Sequence, residues 1–457
     1  MNKNLVAGAA ILCVLPTISQ GSGFALIEMN ARGQGNAYAG AAAYTPDAST
    51  IYFNPAGMMM LDQDQIAGAL HLITPKASFT NDGSSAADVL GPAPPGGLGG
   101  PLSGPNDDGG KSAVVPNFYW VKTINDEMKF GLGVNAPFGL ETSYDDDWVG
   151  RYHGVLSDLR TVNINPSLAY RVNEQLSIGG GLDIMLGEVD LSSMVDFGAI
   201  CVGVAPPATC GGLGSLPQQA DGSSEFEADN FDSISTGWNL GLMYEISPQT
   251  SLGIAYRSEI EMKVEGKVDF TVPTQLTFLT ATGLFLDGDI SAKVDLPASF
   301  SFSLAHKVDK FTWLADVTWT GWSSFDELRI VYDNPAQPDS VTTEDWEDTM
   351  RYSVGLDYQY SDQWVLRTGL ALDETPVPNK ERRTPRLPGN DRTWVSLGAT
   401  YMHSESLSWD FGYSHLFIKD ADIENEFESS ASVLESTLKG EYEADVDIVS
   451  VQLNWKY

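Results

Sequence analysis

The chain has 457 residues, with 26 basic and 61 acidic side chains and a formal charge of -35. So acidic a surface repels phosphate backbones, which argues against nucleic acid as a partner. Length alone suggests two or three soluble domains, but no linker or shift of composition divides the chain, and barrels run long as single domains.

Lys3 supplies a positive start, residues 5–15 a short apolar run, and Ser19 and Gly21 small residues suited to cleavage. Export is expected, with residues 1–21 removed as a signal peptide. Cys13, preceded by Ala10, Ile11 and Leu12, does not make a lipoprotein cleavage box. The apolar run is too short to cross a bilayer as a helix, and no later stretch offers about 18 uninterrupted apolar residues. An exported chain without a spanning helix is either soluble or a closed barrel.

Residues 22–60 come next. They are rich in Ala and Gly, lack a period of two and are too apolar for a solvated tail. They are expected to fold into a lumen as a plug, small residues packing closely against barrel side chains. A periplasmic extension is the plainer alternative.

From residue 61 onward the chain reads as strands. Alternating runs centre near residues 68, 118, 132, 164, 180, 240, 258, 300, 368 and 398. Phe311, Trp313, Ala315, Val317 and Trp319 share one face of another. Tyr352, Val354, Leu356, Tyr358 and Tyr360 share a face, as do Leu407, Trp409, Phe411 and Tyr413. The last strand reads V-S-V-Q-L-N-W-K-Y, strictly alternating and ending on aromatics at Trp455 and Tyr457. Lipid-facing and lumen-facing residues alternate in this way in outer-membrane barrels, and aromatics sit at the interface. The total is 14 strands, an even number as bacterial barrels require.

Connections alternate in length. Short turns follow Lys122, Tyr170, Glu245, Lys307, Tyr360 and His403. Long polar segments lie near residues 75–111, 142–157, 191–231, 269–290, 333–348, 375–390 and 419–441. Short periplasmic turns and long extracellular loops put both termini in the periplasm. The expected fold is all-β: a 14-stranded antiparallel transmembrane barrel over residues 61–457, with an N-terminal hatch in its lumen.

Within the long segments, Cys201 and Cys210 form an even pair once Cys13 is removed. In an oxidising compartment they are expected to bond to one another. Two cysteines alone make a poor metal site. Asp107 and Asp108, and Asp145, Asp146 and Asp147, are acidic loop clusters that could meet divalent cations beside an anionic leaflet; solvated loops are the plainer reading. His71, His153, His306, His403 and His415 are scattered, and no zinc-protease, phosphate-loop or nucleophile-elbow motif occurs. No catalytic residue, metal or cofactor is therefore expected.

The chain resembles the FadL family of outer-membrane long-chain fatty acid transporters, which includes TodX-type channels for aromatic hydrocarbons. The resemblance rests on Gly23-Phe24-Ala25-Leu26, a Gly/Ala-rich segment and Asn54-Pro55-Ala56. It continues through Phe138-Gly139-Leu140, Trp148 with Gly150-Arg151-Tyr152, residues 163–170, residues 255–259, Leu296-Pro297, Trp322-Ser323-x-Phe325 and Arg367-Thr368-Gly369. The most specific block is Thr375-Pro376-Val377-Pro378, then Leu387-Pro388 and Asp391-Arg392. The long loops do not match.

The resemblance implies passive uptake of hydrophobic molecules by a monomer in contact with outer-membrane lipids and lipopolysaccharide. Substrate would enter by an external groove and reach an inner pocket beside the hatch. It would leave sideways where the third strand is interrupted, at Ala136, Pro137, Phe138 and Gly139. Pro removes a ladder donor and Gly permits a bend there. Phe24, Leu26, Ile27 and Met29 are candidate pocket residues. Arg329 falls where the family places a basic residue, and Glu188 where a fatty acid transporter can carry Arg. An acid there would repel a carboxylate or cancel Arg329, so long-chain fatty acids are the cargo that the resemblance implies by default and neutral hydrophobics such as aromatic hydrocarbons the alternative. A polar porin and a barrel hydrolase are the other classes; a plug argues against the first and the missing nucleophile against the second.

Overall fold

Alternation between apolar and polar side chains builds strands with one lipid face and one wet face, and these close on themselves. The computed structural model describes residues 23–44, 46–87, 100–231, 233–429 and 431–457. The expected signal peptide, residues 1–21, lies outside them. Paired antiparallel segments number 21 and make 14 strands, so seven strands are each broken once. The last strand, Thr437–Lys456, pairs with the first, Gln65–Asn81, from Gln65↔Lys456 to Asn81↔Gly440. The described strands thus close into a ring, as a membrane barrel requires.

The outward face carries the apolar residues. Leu372 is 58% exposed and Leu397 56%, in a row with Leu366, Leu370 and Val395. Trp120, Tyr170, Tyr244 and Trp455 ring the short-turn rim, where Trp120 Nε1 donates to the Tyr457 hydroxyl at 2.7 Å. The lumen face is polar: Asp183, Asn163, Ser414, Gln452 and Asn454 are all buried.

Connections sort by side. Asn125 and Met128, Ser247 and Thr250, and Val308 and Phe311 are joined by two residues each. On the opposite side, Asp196 connects to Asp221 and Asp373 to Arg392. A cysteine at Ser103, on a long loop, should be labelled by an impermeant reagent on intact cells, and one at Asn125 should not; the reverse would overturn the topology.

The strands run further than their sequence pattern suggests. The first extends to Asn81, the fifth (Leu176–Asp196) past residue 191, and the fourteenth begins at Thr437 rather than after residue 441. Beyond the bilayer the outward face turns polar, with Lys76, Glu443, Asp445 and Asp447, so greasy alternation stops while pairing continues.

Residues 23–44 and 46–61 pack inside the barrel. Asn30 caps a helix at Ala31–Gln34 by accepting from Gly33 N, and Asn54 caps the 3-10 turn Pro55–Met60 through Ala56 N. Polar contacts tie this hatch to the wall: Arg32 to Asp357 at 3.0 Å, Ala31 N to Gln452 Oε1 at 2.9 Å, and Asn54 Nδ2 to Leu242 O at 3.0 Å. Close approach needs glycine on the wall. A methyl group at Gly253 would overlap the Ala42 carbonyl, one at Gly369 the Asn36 backbone, and one at Gly398 the Gly35 Cα. In an ordinary strand such glycines would be weak points; here they make room for the hatch backbone.

Candidate transport path

The third strand runs as Met128–Asn135 and resumes as Gly139–Ser143. Its partner ladder to the fourth strand (Leu156–Arg171) stops at Asn135↔Asn163 and restarts at Gly139↔Arg160. Three residues thus face two, a one-residue bulge built around Pro137. On the other side, the second strand (Ala113–Asn125) meets the third only from Phe118↔Val134 downward. Its residues 113–117 pair with the first strand alone. Backbone groups freed by the break are taken up locally. Leu26 N donates to Pro137 O and Gly139 N to Phe24 O, each at 2.8 Å. The Thr161 hydroxyl accepts from Phe138 N at 3.1 Å and donates to Phe138 O at 2.6 Å. The start of the hatch therefore lies across the break as a short bridge strand. The four residues 136–139 are buried.

The barrel holds two apolar cavities, of which one reaches this junction. The outer one lies among the long loops, with Leu191, Phe226, Phe270, Ile330 and Tyr332 on its walls. The inner one rests on the hatch through Leu26, Ile27, Phe53 and Pro55, and touches Pro137 and Phe138. An aromatic cluster borders the inner cavity through Trp322 and Phe138 and packs into the same apolar core as Leu191, Phe226 and Ile330 of the outer one. The Phe24 ring sits 4.7 Å from Trp322, 5.3 Å from Phe325, 5.7 Å from Trp346 and 6.1 Å from Phe138. Gly23 has φ +58°, and any side chain there would strike Trp322 and Trp346. Trp322 and Phe325 meet the Phe24 ring edge-on, an arrangement that suits the ring quadrupoles and keeps the cluster apolar.

Expected site residues are placed unevenly. Leu26 and Ile27 line the inner cavity and Phe24 the seal; Met29 is buried in the hatch and lines neither cavity. Pro55 reaches the inner cavity, while Asn54 and Ala56 hold the hatch to the wall side of Leu242 and Gly179. Arg329 and Glu188 do not meet, and neither lines a cavity. Arg329 is exposed and ion-paired with Glu327 at 2.6 Å and Asp339 at 3.1 Å. Glu188 stands on the outward side, across from Arg160 and Asp229, while its neighbours Val189 and Leu191 point into the core. An alignment error of one residue moves a strand side chain to the opposite face.

Basic residues do line the cavities, but they are others. Arg386 borders the outer one and donates to Leu156 O at 2.7 Å, Ser157 Oγ at 2.8 Å and Ser192 O at 3.2 Å. Burial pulls its guanidinium down to about 10. Arg351 and Arg257 border the inner one. Arg386 directly precedes Leu387-Pro388 of the most specific motif, a signal that the sequence did contain.

Cys201 and Cys210 are bonded to one another and staple two short helices, Phe197–Val204 and Pro207–Gly212, over the outer cavity. Asp196 holds the base of this loop, accepting from Ala199 N and Gln218 N at 2.9 Å each. Burial pushes the Asp196 carboxyl up to about 6. Closing so short a ring restrains the unfolded chain by roughly 2–3 kcal/mol in the loop-closure picture, and the loop stands off the membrane ladder. Replacing both cysteines by serine should therefore loosen the loop and leave the barrel's heat-modifiable gel migration unchanged. Loss of the folded band would contradict this.

The acidic loop clusters serve the backbone: Asp108 accepts from Gly110 N at 2.9 Å and Asp107 from Asp145 N at 2.6 Å. Among the described residues no group of three metal-ligating side chains is brought together. His71 meets Ser450 at 2.7 Å, but the pair is buried between strands one and fourteen and lines neither cavity.

Residues 12–457 match the sequence model of the family described as outer membrane protein transport protein (OMPP1/FadL/TodX). A 47 kDa outer membrane protein of Pasteurella multocida is 32% identical over 435 residues, covering 93% of this chain and 94% of that protein. The long-chain fatty acid transport protein of Escherichia coli K12 is 28% identical over 424 residues, covering 89% and 90%. Among solved structures, a Pseudomonas aeruginosa FadL homologue superposes with a TM-score of 0.82 at 24% identity, over 95% of this chain and 99% of that one. The Pseudomonas putida toluene transporter TodX superposes at 0.65 with 17% identity, over 94% and 99%. A closed barrel around a hatch, a broken third strand and a family match along nearly the whole chain lead to one assignment: this chain belongs to the OMPP1/FadL/TodX family of outer-membrane transport proteins.

Proposed function

We propose that the chain carries hydrophobic molecules across the outer membrane by passive diffusion, with residues 22–60 as a seated hatch and residues 61–457 as the conduit. A molecule settles in the outer cavity, passes the Phe24 seal into the inner cavity, and leaves sideways between the second and third strands. The observation that carries this reading is one apolar core that joins the wall of the outer cavity to the rings around Phe24, with the inner cavity beside those rings and reaching Pro137 and Phe138. A hydrocarbon gains about 0.8 kcal/mol for each methylene taken out of water, so a dry path ending at lipid favours it over release into the periplasm. The chain works as a monomer. Its outward charged rows above the bilayer face lipopolysaccharide, and no catalytic step is needed.

The E. coli relative's substrate class, long-chain fatty acids, is the default cargo, with neutral aromatic hydrocarbons the alternative. Cells making the chain should take up radiolabelled palmitic acid or 1-hexadecanol faster than cells without it, whereas uptake of small sugars should not change. Faster sugar uptake would instead mark a polar porin.

A further inference from the structure

The polar side of the inner cavity bears on the chemistry of the cargo, provided that uptake runs through this cavity as proposed above. Arg351 of the tenth strand, Asp373 of the eleventh and Arg392 of the twelfth are cross-strand partners, Arg351↔Asp373 and Asp373↔Arg392. All three are buried. Glu28 of the hatch is 1% exposed and lies within electrostatic reach of both arginines and of Tyr38 and Tyr52. Asp316 of the ninth strand also faces Arg351 and is held by Thr318 Oγ1 at 2.8 Å and by Ser303. Two arginines therefore stand among three carboxylates. The remaining base on the cavity wall, Arg257, is ion-paired with Asp183.

Donors are nonetheless left over. Arg351 Nη2 donates to Ala37 O at 2.9 Å, and its guanidinium lies 5.1 Å from the Trp394 ring centre. Arg351 Nε and Trp322 Nε1, both on cavity-lining residues, have no partner among the described residues. A buried donor without an acceptor costs free energy that a ligand oxygen can recover.

We propose that the inner cavity selects neutral hydrophobic molecules carrying one hydrogen-bond-accepting oxygen, such as an alcohol, ester or ketone, over carboxylates. A carboxylate would be a fourth acid beside two arginines already compensated, and burying it without a free counter-charge is unfavourable. A neutral oxygen accepts from the idle donors without that penalty.

The test compares 1-hexadecanol with palmitic acid, equal in chain length, as radiolabelled ligands of the purified protein. Burial pushes the Glu28 carboxyl up to about 7, so binding is measured above that value, where Glu28 is ionised. Hexadecanol should bind about tenfold more tightly than palmitate. Asp373→Asn removes one acid and should bring palmitate to within a few-fold of hexadecanol. Glu28→Gln, in the hatch, should act the same way and serves if Asp373→Asn does not fold. Palmitate binding more tightly than hexadecanol to the unaltered protein would overturn the inference, as would both variants leaving the ratio unchanged. Failure of both ligands to bind would overturn the uptake reading and this inference with it.

Discussion

Replacing Gly369 by valine is expected to turn a sealed barrel into a conducting one. Gly369 faces the lumen on the eleventh strand, Trp364–Asp373, where any Cβ would overlap the Asn36 backbone. The wall cannot retreat, because this strand is laddered on both sides, Gly355↔Gly369 and Gly369↔Ser396. Nor can the hatch adjust by rotating a side chain, since the clash is with main chain. Asn36 is further held by Asp357 at 3.2 Å, and Asp357 by Arg32 at 3.0 Å and Arg367 at 3.2 Å. Breaking one member of such a buried network costs about 3–5 kcal/mol, comparable to the strain of a bulky side chain forced into a filled site. The hatch should therefore leave its seat over strands ten to twelve and open a water path. In planar bilayers the parent protein should be silent and Gly369→Val should show discrete current steps, with heat-modifiable gel migration confirming a folded barrel. Gly68→Ala, where nothing lies within 4 Å, is the matched control and should stay silent. A folded Gly369→Val that conducts no better than its parent would mean that the hatch does not depend on wall glycines.

Strand number, closure and loop sidedness were legible because they depend on a period-two pattern and on loop length, both local properties. The break at Pro137 was legible for the same kind of reason, since proline acts on its own backbone. What escaped depends on parity or on assembly. Arg329 and Glu188 were placed by alignment, and one residue of slip turns a side chain from lumen to lipid. The seal around Phe24 draws Phe138 from the third-strand break, Trp322 and Phe325 from the break in the ninth strand, and Trp346 from that in the tenth. No window of sequence holds them together. Arg351 reads as one more alternating residue until the hatch places Ala37 and Glu28 beside it. The wall glycines, among 45 in the chain, acquire a purpose only once the path of residues 23–61 is known.

If hydrophobic cargo leaves sideways, filling the break in the third strand must slow uptake without disturbing capture. Gly139 is the position for this. It is buried, sits at the restart of the strand opposite Arg160, and its N–H binds the Phe24 carbonyl. An indole at residue 139 would add bulk at the break itself, next in sequence to Phe138 of the inner cavity. The decisive measurement is the initial uptake rate of radiolabelled hexadecanol and palmitate by cells carrying equal amounts of folded Gly139→Trp or parent protein. Uptake of both ligands should fall by about tenfold or more, as ~1.4 kcal/mol added to the barrier would cause, while the purified variant still binds them. Unchanged uptake through a folded Gly139→Trp barrel would contradict lateral exit at the third strand.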